Sequence, residues 1–237
     1  MWRFWALSSV IFAQGGYVAP LAHELGVGVV LHSYGWGVGV ASHRWKDDRT
    51  GWAWQVDLTS YRLREEVRIR SAYQDQGGRD YVFGKVNYVY LLEGVFSYQR
   101  VLLFRSAVSA GQVSLLVGAG PALGLTKPYY IEIAVPISAT QAIIKVDTYD
   151  PQRYSYLDIV GEADFYLGFD KLRAVPGVVG QGAVEVNFGR NAALFRGLLI
   201  GVRLQAFSAG IQSLYEKPPR QVWVSGVLAF YVGNAWK

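Results

Sequence analysis

From Phe83 to Arg100 the side chains separate by parity into two chemistries. The even positions Val86, Tyr88, Tyr90, Leu92, Gly94, Phe96 and Tyr98 carry no charge before Arg100. The odd positions Lys85, Asn87, Val89, Leu91, Glu93, Val95, Ser97 and Gln99 hold nearly all the polar groups. Successive side chains of a strand point to opposite faces, so this pattern predicts one long strand with an apolar side and a mixed side. Tyr88 and Tyr98 are separated by about 33 Å along such a strand, and by roughly 25 Å in height once it tilts by about 40°. That matches the apolar band between the aromatic girdles of an outer-membrane barrel. The strand is therefore expected to cross a bacterial outer membrane, lipid on its even face and barrel interior on its odd face.

The same alternation recurs along the chain. Leu25, Val27, Val29 and Leu31 are apolar at odd positions, and Trp36, Val38 and Val40 at even ones. A two-residue hairpin turn at Tyr34-Gly35 explains the change of phase; a single long strand with a bulge is the alternative. The opposite faces carry Gly26, Gly28, Gly37, Gly39 and Ala41, small residues suited to a crowded lumen. After the polar turn Lys46 to Gly51, a third strand alternates Trp52, Trp54, Val56 and Leu58 with Ala53, Gln55, Asp57 and Thr59, and its alternation continues through Arg62 to Arg70. Asp75 to Asp80 reads as the tip of a long loop. A fifth strand sends Val113, Leu115, Val117, Ala119 and Leu123 outward, and Val178 to Phe188, Leu194 to Phe207 and Gln221 to Trp236 complete the set. Residues 126–176 are the least regular, with a short helix or extra strand expected at Phe165 to Lys171.

The expected fold is all-β, a transmembrane antiparallel up-and-down barrel of about eight strands. Short turns at 46–51, 105–111 and 189–193 fall at the periplasmic end with both termini, and long loops at 63–82, 126–176 and 208–220 fall outside. Without the Tyr34-Gly35 hairpin, residues 158–171 would supply a strand and the long loops would change sides.

Composition agrees with this class. Charged residues are 17% of the 237, against an average of about 25% in soluble domains. Aromatics reach 15% and there are 27 glycines, yet no apolar run approaches the roughly 18 residues of a spanning helix. A soluble β-sandwich is the competing class. Met1-Trp2-Arg3 followed by the apolar run to Ala13 reads as a signal peptide, residues 1–13, leaving 14–237 as the barrel domain. With no cysteine there is no lipid-attachment thiol, disulfide or thiolate metal site. The net charge of +5 comes without a basic run, so no nucleic acid is expected as partner.

Phe83-Gly-Lys-Val-Asn87 with Tyr88 and Tyr90 resembles a motif of an uncharacterised outer-membrane β-barrel protein family of Bacteroidota. Gly118 to Tyr130 is similar to that family's Gly-rich strand running into Lys-Pro, and Gly161 to Phe169 and Val175-Pro-Gly177 also fit. The resemblance extends over most of the mature chain and implies a location and a fold, with no activity. Family members tend to carry His-Pro after the Trp-rich strand; here the segment reads Arg62-Leu63-Arg64-Glu65-Glu66, so no role is carried over to it.

Candidate chemistry is sparse. His23, His32 and His43 lack the spacing and carboxylate company of a zinc site. His32 and Ser33, like Ser42 and His43, are adjacent and point to opposite faces, so neither makes a hydrolase pair. No metal or cofactor is expected. The interior-facing Asp57, Lys85, Asn87, Glu93, Glu185 and Arg203, with Gln55, Gln99, Gln181, Asn187 and Gln205, predict a polar network filling a narrow barrel, because isolated buried charges are too costly. Such a barrel holds its own side chains or at most one small ligand. Arg62, Arg64, Arg68 and Arg70 on one outer loop, with Lys217 and Arg220 on another, could meet lipid phosphates. The expected role is structural or interactive in the envelope, either stabilising it or docking as an accessory subunit on a larger outer-membrane complex, with outer-membrane lipid and other envelope proteins as partners. A narrow solute pore is the alternative, and a lipid-modifying enzyme the third reading.

Overall fold

A computed structural model of the chain describes residues 23–103, 111–138, 141–188 and 194–236. The segment read as a signal peptide, the turn at 189–193 and most of that at 105–111 lie outside the described residues.

The strands in chain order are β1 (His23–His32), β2 (Gly35–Trp45), β3 (Thr50–Tyr61), the short β4 (Arg68–Ile69) and β5 (Tyr81–Val82), then β6 (Asn87–Leu103) and β7 (Gln112–Pro128). They continue with β8 (Tyr130–Ser138), β9 (Gln141–Thr148), β10 (Ile159–Glu162), β11 (Arg173–Asn187), β12 (Leu194–Ile211) and β13 (Arg220–Trp236). Among the described residues, β1, β2, β3, β6, β7, β11, β12 and β13 form a closed ring in which each pairs antiparallel with its neighbours in sequence, and β13 closes on β1. This is the eight-stranded up-and-down barrel that the alternation predicts.

The ring is staggered. From Asp57, paired residues lead through Glu93, Ala122 and Gly177 to Phe207 in one direction, and through Gly39, Gly28 and Tyr231 to Gly197 in the other. These two ends lie ten residues apart on β12. Such a stagger goes with a strand tilt of about 40° and an interior that side chains can fill.

Alternation governs the wall. On β6 the odd residues from Val89 to Val101 are buried, while Leu92, Phe96 and Tyr98 are exposed. Across the paired strands the exposed side is apolar: Leu31 faces Trp36, Val38 faces Leu58, and Trp52 stacks on Phe96 at 5.1 Å. The inner side fits only because glycine lines it where bulky groups cross. A Cβ at Gly26 would lie 2.8 Å from the Phe195 ring, and one at Gly39 would collide with the Asp57 carboxylate.

Several expectations are corrected. The first turn is Ser33-Tyr34 rather than Tyr34-Gly35, because His32 pairs with Gly35; Gly35 has no room for a side chain against the Ser60 carbonyl. The fourth barrel strand begins at Asn87, not Phe83, since Gly84 turns the chain with φ of 72° and Lys85 lies in the loop before it. The third barrel strand stops at Tyr61 instead of running on to Arg70, as Leu63 turns into the barrel mouth and Glu66 is buried beneath the loop. Residues 129–138 and 141–172 are more regular than expected. They form a three-stranded sheet, β10-β8-β9, and a 3-10 turn at Phe169–Lys171.

Candidate functional site

The interior is filled in layers. At mid-height Arg203 on β12 spans the lumen. Its Nη1 donates to Glu93 Oε2 at 2.8 Å, Nη2 to Asp57 Oδ2 at 2.5 Å and Nε to Gln181 Oε1 at 2.7 Å. The acceptors are completed by Tyr231, whose hydroxyl donates to Asp57 Oδ1 at 3.0 Å, and by Gln205, whose Nε2 donates to Glu93 Oε1 at 3.0 Å. Gln181 passes the network on to Gln55 at 2.7 Å. Arg203, Asp57 and Glu93 are each at most 2% exposed. A guanidinium shared between two carboxylates satisfies three buried ions at once, which is the condition for burying them.

Toward the long-loop end the lumen is apolar. Tyr61 stacks on Trp223 with centroids 4.0 Å apart, Phe207 meets Trp223 at 5.5 Å, and Leu63, Ile211 and Leu214 close the mouth. A depression beside Tyr61, Trp223, Lys217 and Arg220 has room for no more than about one water. Toward the short-turn end, His43 Nδ1 bonds Gln99 Oε1 at 2.8 Å, its Nε2 lies 3.6 Å from Glu185, and its ring packs on Phe195 at 5.0 Å. His43 shares parity with Gly37, Gly39 and Ala41, so its inward direction was readable from the pattern. Tyr231 was readable in the same way.

The six expected network residues thus separate into more than one cluster. Asp57, Glu93 and Arg203 meet in the central layer, and Glu185 joins His43 below it. Lys85 and Asn87 belong to the loop end: Lys85 Nζ donates to Glu66 Oε2 at 2.6 Å, and Asn87 Nδ2 to the Gln212 carbonyl at 2.9 Å. Glu66 also accepts from Ser213 Oγ at 2.9 Å, so one buried carboxylate ties together the loops at 62–86 and 212–219. Ser213 lies on no periodic segment, and the alternation read through Arg62 to Arg70 puts Glu66 with the outward-facing even positions, so no sequence signal marked either as buried. Burial pulls the Lys85 ammonium below its ordinary value, and the Glu66 carboxylate opposes that shift.

Above the mouth stands a hood with its own core of Tyr81, Tyr129, Ile131, Ile133, Tyr149 and Ile159. The hydroxyls of Tyr129 and Tyr149 accept from the amides of Val82 and Gly84 at 3.0 and 3.2 Å, fastening the hood to the loop before β6. Arg79 bridges Glu132 at 2.8 Å and Asp164 at 2.9 Å. Of the basic residues considered for lipid phosphate, Arg62 is paired with Glu66, Arg68 with Glu162 at 3.1 Å and Lys217 with Glu65 at 3.6 Å. Arg64, Arg70 and Arg220 are exposed.

Among the described residues no group of three or more His, Asp or Glu side chains is placed to hold a metal ion. Ser97 and His43 are both lumen-facing, but each is at most 1% exposed and Ser97 Oγ makes no hydrogen bond, so they do not form a nucleophile and base.

No protein-family model matches the chain, and no curated protein matches it in sequence. Among solved structures it is similar to Ail, the attachment invasion locus protein of Yersinia pestis, at 10% identity and a TM-score of 0.39, covering 91% of this chain and 98% of that one. It is also similar to Neisserial surface protein A (NspA), at 10% identity and a TM-score of 0.37, covering 90% and 96%. The barrel itself is established by the strand pairing.

Proposed function

We propose that the chain is an integral outer-membrane β-barrel with a structural or interaction role in the envelope, its lumen sealed and its hood presented at the surface. The observation that carries this reading is the Arg203 layer: charged and amide side chains from β3, β6, β11 and β12 meet across the lumen, as a plugged barrel requires. The exposed apolar wall supports membrane insertion, because a patch of that extent facing water would be a liability in a soluble protein. The Bacteroidota resemblance points the same way. In this reading residues 1–13 are a signal peptide, both termini lie on the periplasmic side, and the hood faces outward. Outer-membrane lipid is the primary partner and other envelope proteins are further partners, with Arg64, Arg70 and Arg220 facing solvent at the loop end.

Planar-bilayer recording of the purified protein tests the seal. No discrete conductance steps are expected; reproducible steps would replace the reading by the narrow pore. Incubation with lipopolysaccharide followed by mass spectrometry of the lipid tests the enzyme reading, with unaltered lipid expected. Recovery of the protein in the soluble fraction after detergent-free lysis would overturn the membrane location.

A further inference from the structure

Lys127 is in the wrong place for a lysine. On β7 it shares the outward parity of Leu115, Val117 and Leu123, and it pairs across the wall with Tyr88. A free ammonium there would face the upper edge of the apolar band. It is nevertheless only 2% exposed, because the segment after β10 folds back over the outside of the barrel. Lys127 Nζ donates to the carbonyls of Phe165 at 2.6 Å and Leu167 at 3.0 Å. It also lies 4.7 Å from the ring centroids of Tyr88 and Phe165, and 4.9 Å from that of Phe169.

The outer surface of this segment is aromatic: Phe165 is 57% exposed, Tyr166 68% and Phe169 46%. Several of its carbonyls are satisfied by donors of the protein. Besides the two carbonyls held by Lys127, the Leu167 amide donates to the Asp164 carbonyl at 3.1 Å, the Lys171 amide to that of Gly168 at 3.1 Å, and the Ala163 amide to that of Tyr130 at 3.0 Å. Irregular backbone usually cannot approach hydrocarbon because its polar groups lose water without replacement. Here part of the replacement is built in, and the buried cation supplies it to the Phe165 and Leu167 carbonyls.

We propose that residues 164–171 form an interfacial anchor, a lobe on the outer wall whose Phe165, Tyr166 and Phe169 side chains sit in the bilayer at the boundary between head groups and acyl chains. The occupant is the lipid surface because the lobe continues the apolar wall directly: Tyr90 and Leu92 lie just below Tyr88 on β6, and Leu125 and Leu123 just below Lys127 on β7. Tyr166, an aromatic ring with a polar handle, favours that depth, and Phe165 and Phe169 add apolar area beside it. The lobe is coupled to the hood, since Asp164 shares Arg79 with Glu132 on β8. Lipid contact at the lobe therefore fixes the height at which the hood stands. This inference rests on the membrane reading above and adds a second, non-barrel contact to it.

The chain contains no cysteine, so single labels can be placed cleanly. Tyr166→Cys, Phe96→Cys and Ile144→Cys, each carrying a nitroxide in the full chain in phosphatidylcholine vesicles, report depth through collisions with oxygen relative to a water-soluble nickel chelate. Phe96 reports the barrel wall, and Ile144, 65% exposed on β9, reports the hood's aqueous side. The expected oxygen-to-nickel ratio at position 166 is several-fold above that at 144, approaching that at 96. A lipid-like value at 96 with an aqueous value at 166 would overturn the anchor and leave the membrane reading standing. Aqueous values at both would overturn the two together.

Discussion

Arg203 on β12 reaches across the barrel to Asp57 on β3, its Nη2 donating to Oδ2 over 2.5 Å between two nearly fully buried side chains. The contact exists because Gly39, paired with Asp57 on the adjacent strand, has no Cβ to obstruct the carboxylate. A guanidinium holding two carboxylates makes the section both closed and costly to disturb. Arg203→Met leaves Asp57 and Glu93 buried without a cation, and should destabilise the folded barrel by about 3–5 kcal/mol, the usual cost of breaking a buried ion pair from one side. Urea unfolding from detergent micelles measures it. The triple variant Arg203→Met/Asp57→Asn/Glu93→Gln should recover a large part of the loss, since no uncompensated ion then remains.

Two glycines make opposite predictions from their surroundings. Gly39→Ala drives a methyl group into the Asp57 carboxylate and the Val30 side chain, and is expected to cost about 1–3 kcal/mol. Gly182, on the outer face of β11, has nothing within 4 Å of an added Cβ. Gly182→Ala should therefore leave stability unchanged or raise it by about 0.4–1 kcal/mol through a less flexible unfolded chain. Paired urea midpoints for the two variants separate lumen crowding from a general intolerance of side chains in glycine-rich strands.

Much of the barrel was legible because period-two alternation is enforced wherever one face is buried. A one-residue slip would turn Glu93 and Gln99 outward and Phe96 inward, so the pattern carries the register with it. Arg203, Asp57 and Glu93 were visible as inward-facing charges for the same reason. That rule lapses where backbone leaves the ring. Lys85 keeps inward parity in the sequence, yet Gly84 adopts a left-handed turn and sends it to Glu66 instead. The run Ala142-Ile143-Ile144 on β9 has no alternation because much of that strand lies exposed beyond the barrel, so β9 left no periodic trace. Lys127 shows the rule in reverse: its outward parity was clear, but the segment that covers it comes from about forty residues further along the chain.

Glu66 and Lys85 predict an alkaline signature. Burial places the folded-state Lys85 below its ordinary 10.5, with the nearby Glu66 carboxylate opposing the shift. Between the folded and unfolded values the unfolded chain binds more protons, so this group's contribution makes stability rise with pH up to about 10.5 and level off above it. Glu66→Gln removes the opposing charge, lowers the Lys85 value further and widens that window. The variant should be less stable than the parent near neutrality, with the gap narrowing as pH increases. Unfolding midpoints at a series of alkaline pH values measure it, and a gap that stays constant would show that Lys85 is not the titrating group.

The hood predicts a dependence of the same sign in acid, where stability again falls as pH falls. The Tyr154 hydroxyl, donating to Asp147 at 2.6 Å, and Arg79, donating to Asp164 at 2.9 Å, hold both carboxylates below their ordinary 3.8. Groups with depressed folded values contribute stability that is complete above the unfolded value and is lost as pH falls through the folded one. Protonation of Asp147 weakens the tie to Tyr154 and Arg153, and protonation of Asp164 weakens the bridge through Arg79 to Glu132. Below about pH 3.8 the amides of residues 129–172 should therefore exchange hydrogen faster, relative to the intrinsic rate, than those of β6 and β12. Hydrogen-exchange mass spectrometry across that range tests it. Arg79→Gln should bring part of the same loosening to neutral pH, because Asp164 and Glu132 then lose their shared partner. If the hood's protection in this variant matches the parent at every pH, the bridge contributes nothing, and the hood is held by the packing of Tyr81, Tyr129 and Tyr149 alone.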